Sequence, residues 1–152
     1  MEYSFRDCKL EDFEFLFELK KQNFKWYVEK IWGWDDDVQR EWLKRDLDKT
    51  IKHKKIIVVE GKDIGVYSTT ITENNDFLIE EISLIKEFHN KGIGTNILNE
   101  QLSINNIKKI RTILQVFKDN LAKNLYERIG FSIYNETETH YQMEKIAKKG
   151  MD

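Results

Sequence analysis

Two glycines one residue apart, Gly92 and Gly94, stand in the segment "EFHNKGIGTNIL" between strand-like residues and an amphipathic stretch. A helix that starts at Gly92 would present unpaired backbone N–H groups and the positive end of its dipole, which together form an anion site. Because glycine has no Cβ, the backbone could approach a phosphate or pyrophosphate closely. Thr95 could add a hydroxyl and Lys91 a positive charge. This segment therefore predicts a phosphate-binding turn.

The glycine spacing is weak on its own, because a tight turn before any helix would also produce it. Two nucleotide-binding loops can be tested against the segment. The dinucleotide fingerprint needs a third small residue where Ile97 stands, and the ATP-type loop needs a Gly-Lys-Ser/Thr run that is absent. Both loops are excluded.

Composition bounds the class of protein. The net charge is −2, so no large field steers the chain toward nucleic acid or anionic lipid, and we expect neither as a partner. Cys8 is the only cysteine, which excludes an intramolecular disulfide and fits a reducing compartment. Nothing resembles a signal peptide or approaches the ~20 apolar residues of a membrane span, so we expect a cytoplasmic protein. The 152 residues suffice for a single domain, 1–152, and the histidines and cysteine show no metal-ligand spacing.

Hydrophobic periodicity predicts an α/β fold. The expected elements are a strand at 2–7, a helix to about Asn23, a helix after "WGWDDD", strands on both sides of a turn at 61–63, a strand at 77–85, a helix from Gly92, a strand at 110–117, a helix ending at Gly130, and strands near 131–135 and 137–144. The resulting order, β-α-α-β-β-β-α-β-α-β-β, indicates a mixed, mostly antiparallel central sheet with helices on both faces.

Two of these helices carry specific expectations. Asp35 is a suitable N-cap for the second helix, with acidic residues in its first turn. Its buried stripe is expected to comprise Val38, Trp42, Leu43 and Leu47. The apolar face of the helix after the glycines is expected to comprise Ile93, Ile97, Leu98 and Leu102.

The glycine segment also resembles a known motif. Residues 82–98 resemble the acyl-CoA-binding motif of the GNAT superfamily of N-acetyltransferases, in which a Gln/Arg-x-x-Gly-x-Gly/Ala turn opens a helix. The turn here begins at His89, which departs from the usual Gln or Arg. A second segment, "DNLAKNLYERIGF" at 119–131, looks like the superfamily's Asn-x-Ala-x-x-Leu-Tyr-Glu-x-x-Gly-Phe run. Both motifs stand in the right order with a strand between them, so the resemblance covers essentially the whole chain.

The resemblance implies that acetyl-CoA is the acyl-donor cosubstrate. In such a fold two strands splay at their C-terminal ends, and the pantetheine arm would pair there with the backbone of Ile82, Ser83 and Leu84. Asn120 would bond the cofactor arm. The residues expected to hold the pyrophosphate are Asn90, Lys91, Gly92, Ile93, Gly94 and Thr95.

The resemblance also implies catalytic roles. Tyr126 stands where the superfamily carries the tyrosine that protonates the departing CoA thiolate, although its spacing alone would equally suit a core tyrosine. Some members use a glutamate before the CoA-binding strand end as the base that deprotonates the amine. Glu80 and Glu81 both qualify, and because alternate strand residues face opposite sides, only one is expected to reach the site, with Glu81 nearer. Gln115, where other members carry a base, cannot serve.

The acceptor is expected to contact the first two helices and the last strands, as in this superfamily generally. Trp26, Trp32 and Trp34 stand near an acidic run, and this combination suggests an amphipathic wall for a cationic amine. His140 could be a pH-sensitive group of the site or a structural histidine.

The leading hypothesis is an enzyme that moves acetyl from acetyl-CoA to a primary amine by direct attack in a ternary complex. A non-catalytic acyl-CoA-binding or regulatory module of the same fold, and an acetyltransferase acting on a protein N-terminus or lysine, are the alternatives. Bulky Trp32 and Trp34 favour a small-molecule amine over a protein acceptor. The chain is expected to be a monomer or a homodimer.

Overall fold

A computed structural model describes residues 1–147, so the last five residues of the predicted 1–152 domain lie outside the described residues. The elements are β1 (Ser4–Asp7), α1 (Phe13–Trp32), α2 (Asp36–Thr50), β2 (Lys54–Val59), β3 (Lys62–Ile71), β4 (Phe77–Leu84), α3 (Ile93–Lys108), β5 (Thr112–Phe117), α4 (Ala122–Ile129), β6 (Ser132–Glu136) and β7 (His140–Lys145). Their order is the predicted one.

The strands form a seven-stranded sheet in the order β1-β2-β3-β4-β5-β7-β6 within the described residues. Strands β1 and β2, β2 and β3, β5 and β7, and β6 and β7 pair antiparallel. Strand β4 pairs parallel with β5, Phe77 lying opposite Thr112 and Leu78 opposite Ile113. The prediction of a mixed, mostly antiparallel sheet is confirmed.

Local sequence explains several of the element ends. Glu60 and Gly61 have φ values of 50° and 76°, the backbone that a tight hairpin between β2 and β3 requires. Asp35 caps α2 as predicted, its carboxylate accepting from the Val38 N–H at 3.0 Å. Gly130, with φ 118°, ends α4.

Several predicted details were wrong: β1, β5 and β7 begin two or three residues later than predicted. Helix α1 runs to Trp32 rather than to about Asn23, because nothing in the chain breaks it before Gly33, whose φ is 79°. Helix α3 starts at Ile93, one residue after Gly92.

Another wrong detail is the buried stripe of α2. Val38 and Trp42 are 42% and 53% exposed, whereas Leu43 and Leu47 are buried as predicted. The buried stripe instead continues through Gln39, which is 3% exposed, so it follows an i, i+4, i+8 line.

The chain divides into two compact units by contacts. The first comprises Met1–Ser68 and Glu81–Gly94. Its core joins α1, α2, β2 and β3 through the buried side chains of Cys8, Leu16, Phe17, Leu19, Leu43, Leu47, Ile56 and Val66.

The second unit comprises Thr69–Glu80 and the described residues from Thr95 onward. The Asn105 side chain, 2% exposed, donates to Thr112 Oγ1 at 2.8 Å and so joins α3 to β5. Arg111 forms ion pairs with Asp76 and Glu144 at 2.8 and 2.7 Å. These contacts hold the C-terminal strands to the segment that leads into β4.

Candidate active site

The predicted site residues divide between the two units. Glu81, the strand end at 82–84, the turn up to Gly94 and the three tryptophans belong to the first unit. Glu80, Thr95, Asn120, Tyr126 and His140 belong to the second.

The turn between β4 and α3 has the backbone that an anion-binding loop needs. Asn90 and Gly92 have φ values of 60° and 83°, and the turn leads directly into the first N–H groups of α3. Asn90, Lys91 and Gly92 are exposed, whereas the Ile93 side chain is 1% exposed and belongs to the core. Only the backbone of Ile93 can therefore take part in the predicted contact.

The two glycines of this turn differ in whether the backbone conformation requires glycine. Gly92 has a positive φ, which disfavours any side chain. Gly94 has no such φ, and a Cβ added there would meet only Ile82 Cδ1, at an ordinary 4.0 Å. The fold therefore does not require glycine at position 94, whereas a close-lying ligand would.

The His89 side chain contacts the backbone of the protein itself, at the end of β4. Its Nε2 lies 2.6 Å from the Leu84 carbonyl oxygen, which also accepts from Asn23 Nδ2 at 3.0 Å. The His89 contact is a hydrogen bond in the tautomer with its proton on Nε2. The two side chains hold the end of β4 against α1 and the turn, and they engage both lone pairs of the Leu84 carbonyl. Sequence reasoning missed Asn23, which carries no local motif.

Glu80 and Glu81 have different surroundings. Glu80 is exposed, whereas Glu81 is half-buried and its Oε2 accepts from Ser83 Oγ at 2.9 Å. The ammonium of Lys54 lies 3.8 Å from Glu81 Oε1. Sequence reasoning also missed Lys54, although its alternation with buried Ile56 indicates an inward side chain.

Tyr126 is half-buried on α4, with its ring edge-on to Phe131 at 6.0 Å between centroids. Burial raises the pKa of the Tyr126 phenol, so the hydroxyl is protonated at neutral pH and can donate. Asn120 Oδ1 accepts from the Ala122 N–H at 2.9 Å and so satisfies the backbone donor of the first residue of α4. The Asn120 oxygen therefore has a structural role, and its amide nitrogen is the atom suited to a ligand.

His140 lies opposite Phe117, the last residue of β5. The two rings are 4.2 Å apart, and Thr139 Oγ1 lies 2.7 Å from His140 Nδ1. Burial lowers the pKa of His140, so the imidazole is neutral at pH 7. The Asn120 N–H donates to the Phe117 carbonyl at 2.9 Å, so the second unit brings His140 and Asn120 to the same end of β5.

The three tryptophans have different neighbours. Trp26 and Trp32 are 61% and 60% exposed on α1, and Trp26 stands edge-on to Tyr27 at 5.0 Å. Trp34 packs on Phe17 at 6.3 Å and donates from Nε1 to Asp36 at 2.6 Å. These contacts favour a packing role for Trp34.

We expect Trp34→Ala to lower the melting temperature by several degrees, because it removes a large ring from the edge of the core and the bond to Asp36. Trp32→Ala, at an exposed site on the same segment, is the matched control and should change it little. Thermal unfolding of both variants is the measurement. An unchanged melting temperature for Trp34→Ala together with a raised KM for the acceptor would instead show that Trp34 contacts the acceptor, as the sequence predicts.

Within residues 1–147, no helix is long and apolar enough to cross a membrane. No group of three or more His, Cys, Asp or Glu side chains in that range could hold a metal ion.

The chain is similar to known acetyltransferases. Residues 52–133, more than half of it, match the family model described as the acetyltransferase (GNAT) domain. The chain therefore belongs to the GNAT acetyltransferase family. None of the curated proteins matches it significantly.

Solved structures share the fold. The chain is 23% identical to the PaiA N-acetyltransferase from Thermoplasma acidophilum in complex with coenzyme A, over 96% of this chain and 99% of that one, with a TM-score of 0.74. It is 14% identical to the ribosomal-protein-S18-alanine N-acetyltransferase from Escherichia coli, over 99% of this chain and 98% of that one, with a TM-score of 0.67. It is 16% identical to Arabidopsis thaliana Naa50 in complex with the bisubstrate analogue CoA-Ac-MVNAL, over 95% of this chain and 99% of that one, with a TM-score of 0.62. The GNAT-like fold predicted from the two motifs is confirmed.

Proposed function

We propose that this chain is an acetyl-CoA-dependent N-acetyltransferase, one catalytic domain that moves acetyl to a primary amine by direct attack in a ternary complex. Gly94 carries the proposal. Gly94 belongs to the superfamily's turn and lies in the first turn of α3, and neither its backbone angle nor the space around it requires glycine. A ligand lying against the helix start gives a reason for the missing Cβ.

Acetyl-CoA supplies an activated thioester, and the residues of the chain bind and orient it. The N–H groups of 90–95 bind the pyrophosphate, with Lys91 as a nearby positive charge and the Thr95 hydroxyl as a further donor. The backbone of Ile82 and Ser83 pairs with the pantetheine arm, while the Leu84 carbonyl is engaged by His89 and Asn23.

Two side chains handle protons in this proposal. Glu81, rather than exposed Glu80, accepts a proton from the acceptor's ammonium, which leaves a neutral amine able to form the new C–N bond. As the C–S bond breaks, the Tyr126 hydroxyl donates its proton to the departing sulfur, which leaves as the CoA thiol. The nitrogen loses its second proton as it becomes the amide, and that proton returns Tyr126 to its neutral form. Asn120 orients the arm through its amide nitrogen.

A small-molecule amine is the proposed acceptor, and the cytoplasm is the proposed location. Trp32 and Trp34 were expected to form pocket walls that exclude a peptide. Trp32 is instead exposed and Trp34 packs on Phe17, so peptides belong among the acceptors to be tested.

An amine panel with CoA-thiol release as the readout tests the function. Polyamines, aminoglycosides, amino acids and short peptides would each be incubated with the protein and acetyl-CoA. We expect turnover with at least one class. A protein that binds acetyl-CoA but turns over none of them would be the acyl-CoA-binding module instead.

Gly94→Val tests the cofactor turn. A ligand that binds only the folded state at 100 times its Kd stabilises it by about 2.7 kcal/mol, so acetyl-CoA should raise the parent's melting temperature. The variant should lose that shift, because a branched side chain would stand where the pyrophosphate lies. Differential scanning fluorimetry with and without acetyl-CoA measures both.

The stability of Gly94→Val without ligand is the internal control, because the space around position 94 is open. The melting temperature of Gly94→Val without acetyl-CoA should stay near that of the parent. Gly94→Ala should show a melting-temperature shift with acetyl-CoA that lies between those of the parent and Gly94→Val. If Gly94→Val binds acetyl-CoA as tightly as the parent, the pyrophosphate lies elsewhere.

A further inference from the structure

A buried lysine in the first unit lies between two carboxylates. Lys54 opens β2 and is 5% exposed. Its Nζ lies 3.7 Å from Asp46 Oδ2 and 3.8 Å from Glu81 Oε1. An ammonium removed from water is costly unless it is paired, so these two contacts are what allows Lys54 to be there.

The same contact restrains Glu81. One of its oxygens faces Lys54, and the other accepts from the hydroxyl of Ser83, which is 4% exposed. The partners come from two different strands, so rotation of the carboxylate would break at least one contact. The Glu81 side chain is nevertheless 25% exposed, so its carboxylate is restrained but still accessible to a substrate.

Two lysines and two carboxylates form a charge-balanced cluster around Lys54. The groups that face it from other elements are Lys20 on α1, Asp46 on α2, Glu81 on β4, Cys8 after β1 and Ser68 on β3. Burial lowers the pKa of Lys20, and the charge of Lys54 lowers it further, while the Glu81 and Asp46 carboxylates oppose both effects. Burial raises the pKa of the Cys8 thiol, which is therefore neutral at pH 7.

We propose that Lys54 is a positioning residue for acetyl transfer: it holds the Glu81 carboxylate in one orientation beside a fixed positive charge, ready to accept the proton of the acceptor's ammonium. The inference rests on the proposed function. If the ion pair only filled the core, apolar residues could replace it without loss of stability, and often with a gain. Measurements of activity and of stability therefore distinguish a positioning role from a packing role.

Lys54→Met removes the charge and keeps the length of the side chain. We expect kcat to fall by about tenfold or more, and the KM for acetyl-CoA to stay unchanged. Lys54→Arg, which restores a positive charge opposite Glu81, should recover part of the lost kcat. Lys55→Met is the matched control: Lys55 is the next residue of β2, exposed and paired with Asp7, and its kcat should be that of the parent.

A second variant covers the case in which Lys54→Met does not fold. Asp46 is exposed, so Asp46→Asn should fold while it removes the competing carboxylate. Lys54 then pairs with Glu81 alone, so kcat should stay at or above that of the parent. A parent-like kcat in Lys54→Met, a loss of stability that Lys54→Arg restores without restoring kcat, or a tenfold fall of kcat in Asp46→Asn would overturn the proposal and leave Lys54 as a core ion pair.

Failure of the proposed function has a different signature. If the parent turns over amines but Glu81→Gln keeps the parent's kcat, acetyl transfer stands and the role of Lys54 falls. If the parent turns over none of the panel, NMR titration of Lys20 reads the cluster without activity. The pKa of Lys20 should then rise in Lys54→Met and fall in Glu81→Gln, and an unchanged Lys20 titration in both would overturn the coupling.

Discussion

Tyr126→Phe is expected to lower kcat by about 100-fold while leaving the Kd for acetyl-CoA nearly unchanged. The substitution keeps the ring and its edge-on contact with Phe131 and removes only the hydroxyl. General acid catalysis contributes about 10²–10⁴-fold, and the hydroxyl's bond to sulfur strengthens only as negative charge develops there. Steady-state kinetics on the best acceptor of the panel, with calorimetry for the Kd, measures both quantities.

The raised pKa of Tyr126 adds a pH dependence with a definite sign. A group whose pKa is raised in the folded protein keeps its proton up to a higher pH than the free side chain. The ordinary pKa of tyrosine is ~10, so deprotonation of Tyr126 should not reduce kcat until the pH exceeds that value. A fall of kcat between pH 8 and 9 that Tyr126→Phe abolishes would contradict this.

The control for Tyr126→Phe is Tyr134→Phe, at a 41% exposed tyrosine of β6 whose ring faces the Arg111 guanidinium. It should leave kcat and stability close to those of the parent. The Tyr126→Phe melting temperature should also change little, because one phenol hydrogen bond is worth about 1 kcal/mol net. Near-normal kcat in Tyr126→Phe would make Tyr126 a packing residue of α4.

Gly65→Ala is expected to have the largest effect on stability. An added Cβ at position 65 would lie 2.2 Å from the Ser83 carbonyl oxygen and 2.7 Å from Leu84 Cδ2. The first obstacle is backbone, so β3 and β4 must move apart. Overpacking costs about 1–3 kcal/mol where side chains can adjust. We expect at least ~3 kcal/mol, or about 6–12 °C in melting temperature for a chain of this size.

The same variant should also lose acetyl-CoA binding if it folds, because the clash displaces Ser83 and Leu84, whose strand end is the proposed site of the pantetheine arm. Gly61→Ala is the matched control. Gly61 has φ 76° with open space around it, so alanine there meets backbone strain of only ~1 kcal/mol. Equal losses of stability and equal acetyl-CoA shifts for the two variants would show that β3 and β4 separate easily.

Local sequence was sufficient for most of the fold. The turn at Glu60 and Gly61, the cap at Asp35 and the end of α4 at Gly130 each depend on a few neighbouring residues. The prediction was least accurate where two placements had similar local cost. The stripe of α2 is an example: Trp42 and Gln39 are both compatible with an amphipathic helix, and only packing on the rest of the first unit selects Gln39 for burial.

The candidate site divides in the same way. The sequence by itself determined the two family motifs, the turn at Gly92 and Gly94, and the position of Tyr126 in its helix, because these properties belong to contiguous residues. The tertiary structure alone decided that His89 and Asn23 share the Leu84 carbonyl, and that Lys54 pairs with Glu81. Asn23 is 61 residues from Leu84, and Lys54 pairs with a carboxylate on a strand that is not its neighbour in the chain. No local pattern encodes such a pairing, since an inward polar side chain can be satisfied by any suitable partner that the folded chain brings within a few ångströms.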